Sequence, residues 1–142
     1  MEVVTVREAS SPVLVSFPHS GTAGPSAIEQ QFTAAGRSLI DTDWHVPKLY
    51  DFLKELPVST ISANYSRYVI DVNRSPQGTA LYPGQNETEL CPTSTFGKQP
   101  IYLLGKAPDS AEIERRKQHY WLAYHQALTE QLTRIKKTHG YA

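Results

Sequence analysis

Cysteine is almost absent from this sequence, since Cys91 is the single one among 142 residues. One cysteine cannot form an internal disulfide, which excludes the disulfide-rich secreted class and suits a reducing compartment. The N-terminal segment does not read as a secretory signal, because it carries Glu2 and no long apolar core. From these absences we expect a cytoplasmic protein in which Cys91 is structural.

Neither sign of charge is in excess. Lys and Arg together number 14, as do Asp and Glu, so the formal net charge is zero. A basic surface for nucleic acid or for an anionic membrane is therefore not expected. No apolar run approaches the roughly 20 residues that a membrane-spanning helix needs. The partners that remain are small molecules and other protein chains.

Several short catalytic motifs are missing as well. The sequence contains no GxSxG nucleophile turn, no GxxxxGK[ST] phosphate loop, no GxGxxG dinucleotide fingerprint and no HExxH zinc motif. The reactions that depend on these motifs therefore fit this chain poorly. What remains is a set of polar clusters at the ends of predicted strands and helices.

Two segments of the sequence favour strands. The run SPVLVSF (11–17) predicts a short buried strand that is closed by Pro18. The segment VSTISANYSRYVIDV (58–72) predicts two further strands, of which the second ends near Val72. Residues 73–102 are rich in Pro, Gly, Asn and Thr and predict mostly loop.

Three segments favour helices. Residues 27–35 predict a weak helix, and DTDWHVPKLYDFLKEL (41–56) predicts an amphipathic helix with Pro47 in its first turn. A long helix is predicted from a capping-box-like start at Asp109 to Gly140. Strands that alternate with helices indicate an α/β fold. The predicted apolar positions are Val46, Leu49, Tyr50, Leu53 and Leu56 on the middle helix, and Ile113, Tyr120, Tyr124, Leu128, Leu132 and Ile135 on the last.

His19, directly after the first predicted strand, forms a candidate metal site with Asp41 and Asp43. Imidazole and carboxylate are normal zinc ligands, and a catalytic zinc has three protein ligands and an open position for water. The alternative is a polar loop histidine with an aspartate that merely caps a helix, and the spacing alone favours this alternative. His45 is a weaker candidate ligand, because it lies opposite the apolar stripe of the predicted helix.

Arg67 and Arg74 flank an apolar run that ends in Asp71 and Asn73. Arginine offers a rigid fork of donors for a carboxylate or an oxyanion, Asn73 can add an amide donor, and Asp71 can hold an arginine in place. The alternative is a surface salt bridge at a strand end. Tyr82 lies in a predicted Pro-Gly turn, and its role as the wall of a pocket stays open.

Five segments, in this order, resemble the N-formylglutamate amidohydrolases, also called N-formylglutamate deformylases. The resemblance covers nearly the whole chain, which makes it more specific than any one motif. It implies hydrolysis of N-formyl-L-glutamate to formate and glutamate, in histidine degradation. The segments are LVSFPHSGT, DTDWHVPKLYDF, SRYVIDVNRSPQGTALYPGQ, LCPTSTFGKQPIY and PDSAEIERRKQHYWLAYHQAL.

The resemblance also implies a fold and residue roles. The family is similar to zinc carboxypeptidases and to the aspartoacylase group, so we expect an α/β, phosphorylase/hydrolase-like three-layer core. We expect a divalent metal, zinc, and a small N-acyl amino acid with a carboxylate as substrate. The implied roles are metal ligation by His19 and Asp43, with Asp41 in reserve, polarisation of the scissile carbonyl by Arg67, and substrate binding by Asn73 and Arg74, to which we add Tyr82.

Family members continue beyond the long helix. They carry a strand with an Asp-Ala-His-Ser-type motif, which resembles the source of the third metal ligand, and later acidic residues that are candidates for the general base. We therefore expect residues 1–142 to form one domain that matches the N-terminal part of the family fold and lacks its C-terminal strands. Two alternatives follow. The chain is an inactive or split binding module, as a homo-oligomer or with a complementing chain, or it is a related N-acyl-amino-acid hydrolase.

Overall fold

A computed structural model describes residues 1–77 and 89–142 of the chain. Its described part contains a three-stranded sheet in the order β1-β3-β2, formed by β1 (Val4–Arg7), β2 (Leu14–Phe17) and β3 (Ser59–Ala63). β1 runs antiparallel to β3, and β2 runs parallel to it. The expected α/β class is confirmed with a small mixed sheet. β1 was not predicted from the sequence, because this edge strand is short and half exposed.

The loop after β2 continues along the end of β3. The Ala23 amide donates to the Asn64 carbonyl at 3.1 Å, and the Ser66 amide donates to the Ala23 carbonyl at 2.8 Å. Gly21 allows this close approach, since a Cβ atom there would lie 2.5 Å from the Tyr65 carbonyl oxygen. The loop that carries His19 is therefore seated on the sheet.

Between β2 and β3 the chain forms short helices instead of the two predicted ones. The predicted helix over 27–35 is replaced by α1 (Ser26–Glu29) and α2 (Ala34–Arg37). Thr33 separates them, because its hydroxyl caps α2 by accepting from the Gly36 amide. The predicted amphipathic helix is α3 (Val46–Leu49) followed by a 3₁₀ turn (Asp51–Glu55).

The apolar stripe of that helix is not a core face. Of its five predicted positions only Leu53 is buried, and Leu49 is 72% exposed. The helix begins late because His45 adopts a left-handed backbone conformation with φ 65°. Pro47 lies in the first turn of α3, as predicted.

The prediction of a second strand in the segment 58–72 is wrong. Ser66 starts a turn instead: its hydroxyl accepts from the Tyr68 amide at 3.1 Å, and its carbonyl accepts from the Val69 amide at 2.9 Å. The β-rich composition reflects burial, since Tyr68 and Val69 are at most 1% exposed. Tertiary packing therefore overrides the local β-propensity.

The long C-terminal helix is confirmed. It consists of α4 (Ser110–Arg116), a π-helical turn (Lys117–Trp121) and α5 (Leu122–His139). The Asp109 carboxylate caps it by accepting from the Glu112 amide at 2.8 Å, and Gly140 ends it with φ 81°. The π turn was not foreseen. α5 packs against β1 and β3.

The core of the described residues consists of two clusters. One joins the sheet to the last helix and contains Ile61, Ala63, Val72 and Tyr124. The other lies beneath the loops and contains Phe32, Tyr68, Val69, Ile70, Leu90, Cys91, Ile101 and Tyr102, with Ile28. Burial raises the pKa of the Cys91 thiol to about 11, which matches a structural cysteine. In the described ranges, no helix combines the length and apolarity required to cross a bilayer.

Candidate active site

His19 lies two residues beyond the end of β2, in the loop seated on β3. Its carbonyl accepts from the Asp43 amide at 3.0 Å, which ties the segment before α3 to this loop. Its imidazole is only 11% exposed and lies between two carboxylates, those of Asp43 and Asp71. The fold therefore brings together three residues from three separate segments.

Asp71 is the centre of the hydrogen-bond network. Its Oδ1 lies 2.7 Å from Nε2 of His19 and accepts from the Asn73 amide at 2.9 Å. Its Oδ2 accepts from Nη2 of Arg67 at 2.8 Å. The Asp71 side chain is fully buried, and its contact with Arg67 is buried as well.

The ionisation of Asp71 follows from these contacts. Burial by itself would raise the pKa of the carboxyl group, but the hydrogen bond and charge of His19, the charge of Arg67 and the Asn73 amide outweigh burial. The pKa of Asp71 is therefore lowered from its ordinary value. At neutral pH the group is a carboxylate, which can only accept hydrogen bonds.

The tautomer of His19 follows in turn. Because the Asp71 carboxylate only accepts, Nε2 of His19 carries the proton, and in the neutral ring Nδ1 keeps its lone pair. Nδ1 lies 3.8 Å from Oδ2 of Asp43, whose side chain is 44% exposed. A partly exposed carboxylate and an imidazole lone pair therefore approach each other at the surface of the site.

These two atoms fit part of a metal site. Zinc ligands lie about 2.0–2.2 Å from the metal, so two ligands of one tetrahedral ion are about 3.3–3.6 Å apart. The observed separation of 3.8 Å is close to this range. Within residues 1–77 and 89–142, no group of three or more His, Cys, Asp or Glu side chains could hold a metal ion. The described residues thus offer two candidate ligands and not a full set.

Arg67 is held rigidly beside the network. It is 6% exposed, and besides Asp71 it donates from Nη1 to the Asp41 carbonyl at 3.3 Å. The Phe96 ring lies 4.9 Å from its Cζ atom, a cation–π distance. The pairing of Asp71 with an arginine, which the sequence suggested, is present in this form.

Asp41, the reserve metal ligand, points elsewhere. Its Oδ2 accepts from the Tyr68 hydroxyl at 2.6 Å and from the Phe96 amide at 3.0 Å. Burial and the hydrogen bond to Asp41 raise the pKa of Tyr68, so this phenol stays protonated as a donor. The Asp41 carboxylate therefore links the segments of Tyr68 and Phe96 by hydrogen bonds, while Asp43 faces His19.

Asn73 and Arg74 follow Asp71 in a turn. Asn73 has an exposed side chain, and its amide is bound to Asp71. Arg74 is half-buried, and its amide donates to the Asp71 carbonyl at 3.1 Å. The two side chains predicted to bind substrate are thus carried by the same turn as the network centre. Tyr82 lies outside the described residues.

A comparison with protein families identifies the chain. Residues 11–142 match the family model described as N-formylglutamate amidohydrolase. The chain belongs to the N-formylglutamate amidohydrolase family. The resemblance drawn from the five sequence segments is therefore confirmed.

Two curated relatives of this amidohydrolase family are named N-formylglutamate deformylase. The chain is 41% identical to the one from Pseudomonas aeruginosa and 38% identical to the one from Pseudomonas putida, over 99% of its length in both cases. It covers 53% and 52% of those proteins. The chain therefore spans about half the length of the curated relatives that it matches.

Two solved structures have a similar fold. The N-formylglutamate amidohydrolase from Ralstonia eutropha JMP134 matches with a TM-score of 0.75 and 28% identity, over 99% of this chain and 54% of its own. A gene product of Agrobacterium tumefaciens matches with a TM-score of 0.70 over 99% of this chain and 53% of its own, at 17% identity, which supports the fold alone.

Sequence reasoning missed the central position of Asp71. The sequence suggested that Asp71 holds an arginine in place, but His19 is 52 residues away from Asp71 in the sequence. The available signal was a buried acidic residue in an otherwise apolar run, YVIDV (68–72), since a buried carboxylate needs a charged partner.

Proposed function

We propose that this amidohydrolase-family chain supplies the active-site residues described above to an N-formylglutamate deformylase, which hydrolyses N-formyl-L-glutamate to formate and L-glutamate. The observation that carries the proposal is the network in which the Asp71 carboxylate orients His19 and Arg67. The names of the curated relatives, at 38–41% identity, support the substrate and the reaction.

Within this proposal, His19 and Asp43 hold a divalent metal, zinc. Asp71 fixes the imidazole with Nδ1 toward Asp43, as carboxylates commonly do for metal-binding histidines. Further ligands come from outside the described residues. A zinc ion bound there would lower the pKa of water and polarise the formyl carbonyl.

Arg67 stabilises the negative charge that develops on the formyl oxygen. A guanidinium group has five N–H donors, and the bonds to Asp71 and to the Asp41 carbonyl use Nη2 and Nη1 once each. A donor that is already fixed loses little entropy when the charge develops, which is the condition for effective stabilisation. Hydrolysis then places the hydroxyl of water on the formyl carbon and its proton on the amine of glutamate.

Asn73 and Arg74 bind a carboxylate of the substrate. Their turn is anchored through Asp71, so the distance between the carboxylate and the reacting carbonyl is set by the same residue that orients His19. An arginine recognises a carboxylate best through two parallel hydrogen bonds. This arrangement favours acidic N-acyl amino acids.

We also propose that the described sheet is part of a zinc-carboxypeptidase-like, phosphorylase/hydrolase-like core. The parallel pair β2–β3, with His19 beyond the end of β2, supports this proposal. The single domain over residues 1–142, the oligomeric state and the cytoplasmic location stay predictions from the sequence.

Zinc titration by calorimetry tests the metal part of the proposal. We expect the wild-type chain to bind Zn²⁺ and His19→Ala to bind it much more weakly. His119→Ala is the matched control, because His119 is an exposed histidine whose Nδ1 is hydrogen-bonded to the Arg115 carbonyl of its own helix. Equal zinc affinity of wild type and His19→Ala would contradict ligation by His19.

A substrate series tests the specificity. We expect formate release from N-formyl-L-glutamate and much slower release from N-formyl-L-glutamine, which lacks the side-chain carboxylate. N-acetyl- and N-succinyl-L-glutamate distinguish the alternative of a related acyl-amino-acid hydrolase. Faster hydrolysis of either compound than of the formyl substrate would replace the proposed activity by that alternative.

A second candidate function is a binding module without hydrolysis. It is favoured by one observation: the described residues contain the Asp71 network but no group of three metal ligands. This candidate predicts that N-formyl-L-glutamate binds to the chain in calorimetry while no formate is released in the presence of zinc. Release of formate would exclude it.

A further inference from the structure

Three side chains of the C-terminal helix donate hydrogen bonds to the main chain of residues 69–74. Nη1 of Arg116 donates to the Val69 carbonyl at 3.1 Å, and Nε1 of Trp121 donates to the Arg74 carbonyl at 3.0 Å. Nε2 of His125 lies 2.8 Å from the Val72 carbonyl and therefore carries the proton, because a carbonyl only accepts. These contacts flank Asp71 on both sides.

The π turn aligns these three side chains. In an α-helix, Arg116 and Trp121, five residues apart, would point about 140° away from each other. One π turn inserts an additional residue, so residues five apart take the relation that residues four apart have in an α-helix. The turn lies at Lys117–Trp121, between these two residues. Trp121 and His125 are four apart, and their rings stack at 3.7 Å.

The segment that receives these bonds has no strand or helix of its own. Asp71 is bound to the Leu90 carbonyl through its amide, and Asn73 and Arg74 follow in a turn. Its carbonyl groups therefore need partners from elsewhere, and buried carbonyls are nearly always paired. The helix supplies these partners at Val69, Val72 and Arg74.

We propose that Arg116, Trp121 and His125 form a clamp that sets the position of residues 69–74, and that Trp121 and His125 are positioning residues of the active site. They act through the main chain: a shift of the Val72 or Arg74 carbonyl displaces the Asp71 carboxylate and the carboxylate-binding turn together. The role of the clamp in positioning active-site residues rests on the function proposed above. Its effect on the position of the main chain does not depend on that function.

Amide hydrogen exchange in the full chain tests the clamp. The amides of Asn73 and Arg74 are bound to the side chain and the carbonyl of Asp71, and both depend on the position of this turn. We expect His125→Leu and Trp121→Phe to accelerate their exchange about five- to tenfold, as loss of about one net hydrogen bond implies. The amide of Ile61 in β3 keeps its rate.

Two further variants separate the clamp from general damage to the helix. His125→Gln keeps an N–H donor, so we expect it to restore most of the protection at Asn73 and Arg74. His119→Leu changes an exposed histidine of the same helix that is hydrogen-bonded to the Arg115 carbonyl, and we expect it to leave the exchange of Asn73 and Arg74 unchanged. Faster exchange spread evenly over Ile61 and the turn, or unchanged exchange in His125→Leu and Trp121→Phe, overturns the clamp.

Substrate binding distinguishes this proposal from the proposed function. Calorimetry with N-formyl-L-glutamate should give a Kd about tenfold higher for Trp121→Phe than for wild type or His119→Leu. Accelerated exchange with an unchanged Kd overturns the positioning role. A wild-type chain that does not bind N-formyl-L-glutamate contradicts the proposed function, while the exchange data still decide whether the helix holds the turn.

Discussion

Asp71 accepts hydrogen bonds from the His19 ring, the Arg67 guanidinium and the Asn73 amide although its side chain is fully buried. Without partners, such a buried carboxylate would destabilise the fold, because burial removes its hydration. The charge of Arg67, the N–H group of the His19 ring and the Asn73 amide compensate for the loss of water, and the result is an imidazole with one defined tautomer. At the scale of the residue, the chemistry of His19 is therefore decided by its neighbour.

Asp71→Asn should destabilise the chain by about 3–5 kcal/mol, because it removes the charge opposite a buried guanidinium without changing the volume of the side chain. Urea unfolding followed by circular dichroism measures the change. The control is Asp43→Asn, because the Asp43 carboxylate is 44% exposed. This variant should lose about 1 kcal/mol or less in the free energy of unfolding. Equal losses in the two variants would contradict the central role of Asp71.

The lowered pKa of Asp71 predicts the pH dependence of stability. Above the ordinary value of 3.8 the group is ionised in both the folded and the unfolded state, and its stabilising contribution is fully present. As the pH falls below this value, the unfolded state binds the proton first, and stability is lost down to the lower folded-state pKa. Unfolding free energies measured from pH 6 to pH 2 should therefore fall less steeply for Asp71→Asn than for wild type.

At the scale of the element, the loop after β2 depends on Gly21. An alanine Cβ would lie 2.5 Å from the Tyr65 carbonyl oxygen and 2.6 Å from that of Ala63, and main-chain atoms cannot move aside easily. Gly21→Ala should therefore cost about 1–3 kcal/mol in the free energy of unfolding. Gly97→Ala is the matched control, since its nearest contact would be 3.7 Å. A stable Gly21→Ala variant would show that the loop is not seated on β3 as described.

The elements show where sequence reasoning succeeds. β2 and the C-terminal helix were predicted because their signals are local: a β-branched run closed by proline, and a capping aspartate with a terminal glycine. The segment 66–72 was assigned wrongly, because its apolar residues are buried in turns and not in a strand. The amphipathic pattern before Leu56 failed for a related reason, since Leu49 on its apolar stripe is exposed within the described part of the chain.

At the scale of the whole molecule, the site combines segments that are distant in the sequence. The loop at His19, the segment at Asp43 and the turn at Asp71 meet because β2 pairs with β3 and because the last helix packs on the sheet. The sequence pattern identified these segments one by one, and the resemblance to the family implied that they belong to one site. Only the fold reveals that Asp71, and not Asp41, is the second carboxylate at the His19 ring.

The chain spans about half the length of its curated relatives, and the described residues provide two of the proposed metal ligands, whereas a catalytic zinc commonly has three. The central proposal is nevertheless specific: the pair His19 and Asp43 serves the hydrolysis of N-formyl-L-glutamate. The most direct test is NMR quantification of formate and glutamate after incubation of the folded chain with Zn²⁺ and this substrate. We expect both products in equal amounts from wild type and almost none from Asp43→Asn. A folded, zinc-supplemented wild-type chain that releases no formate, or an Asp43→Asn variant as active as wild type, would contradict it.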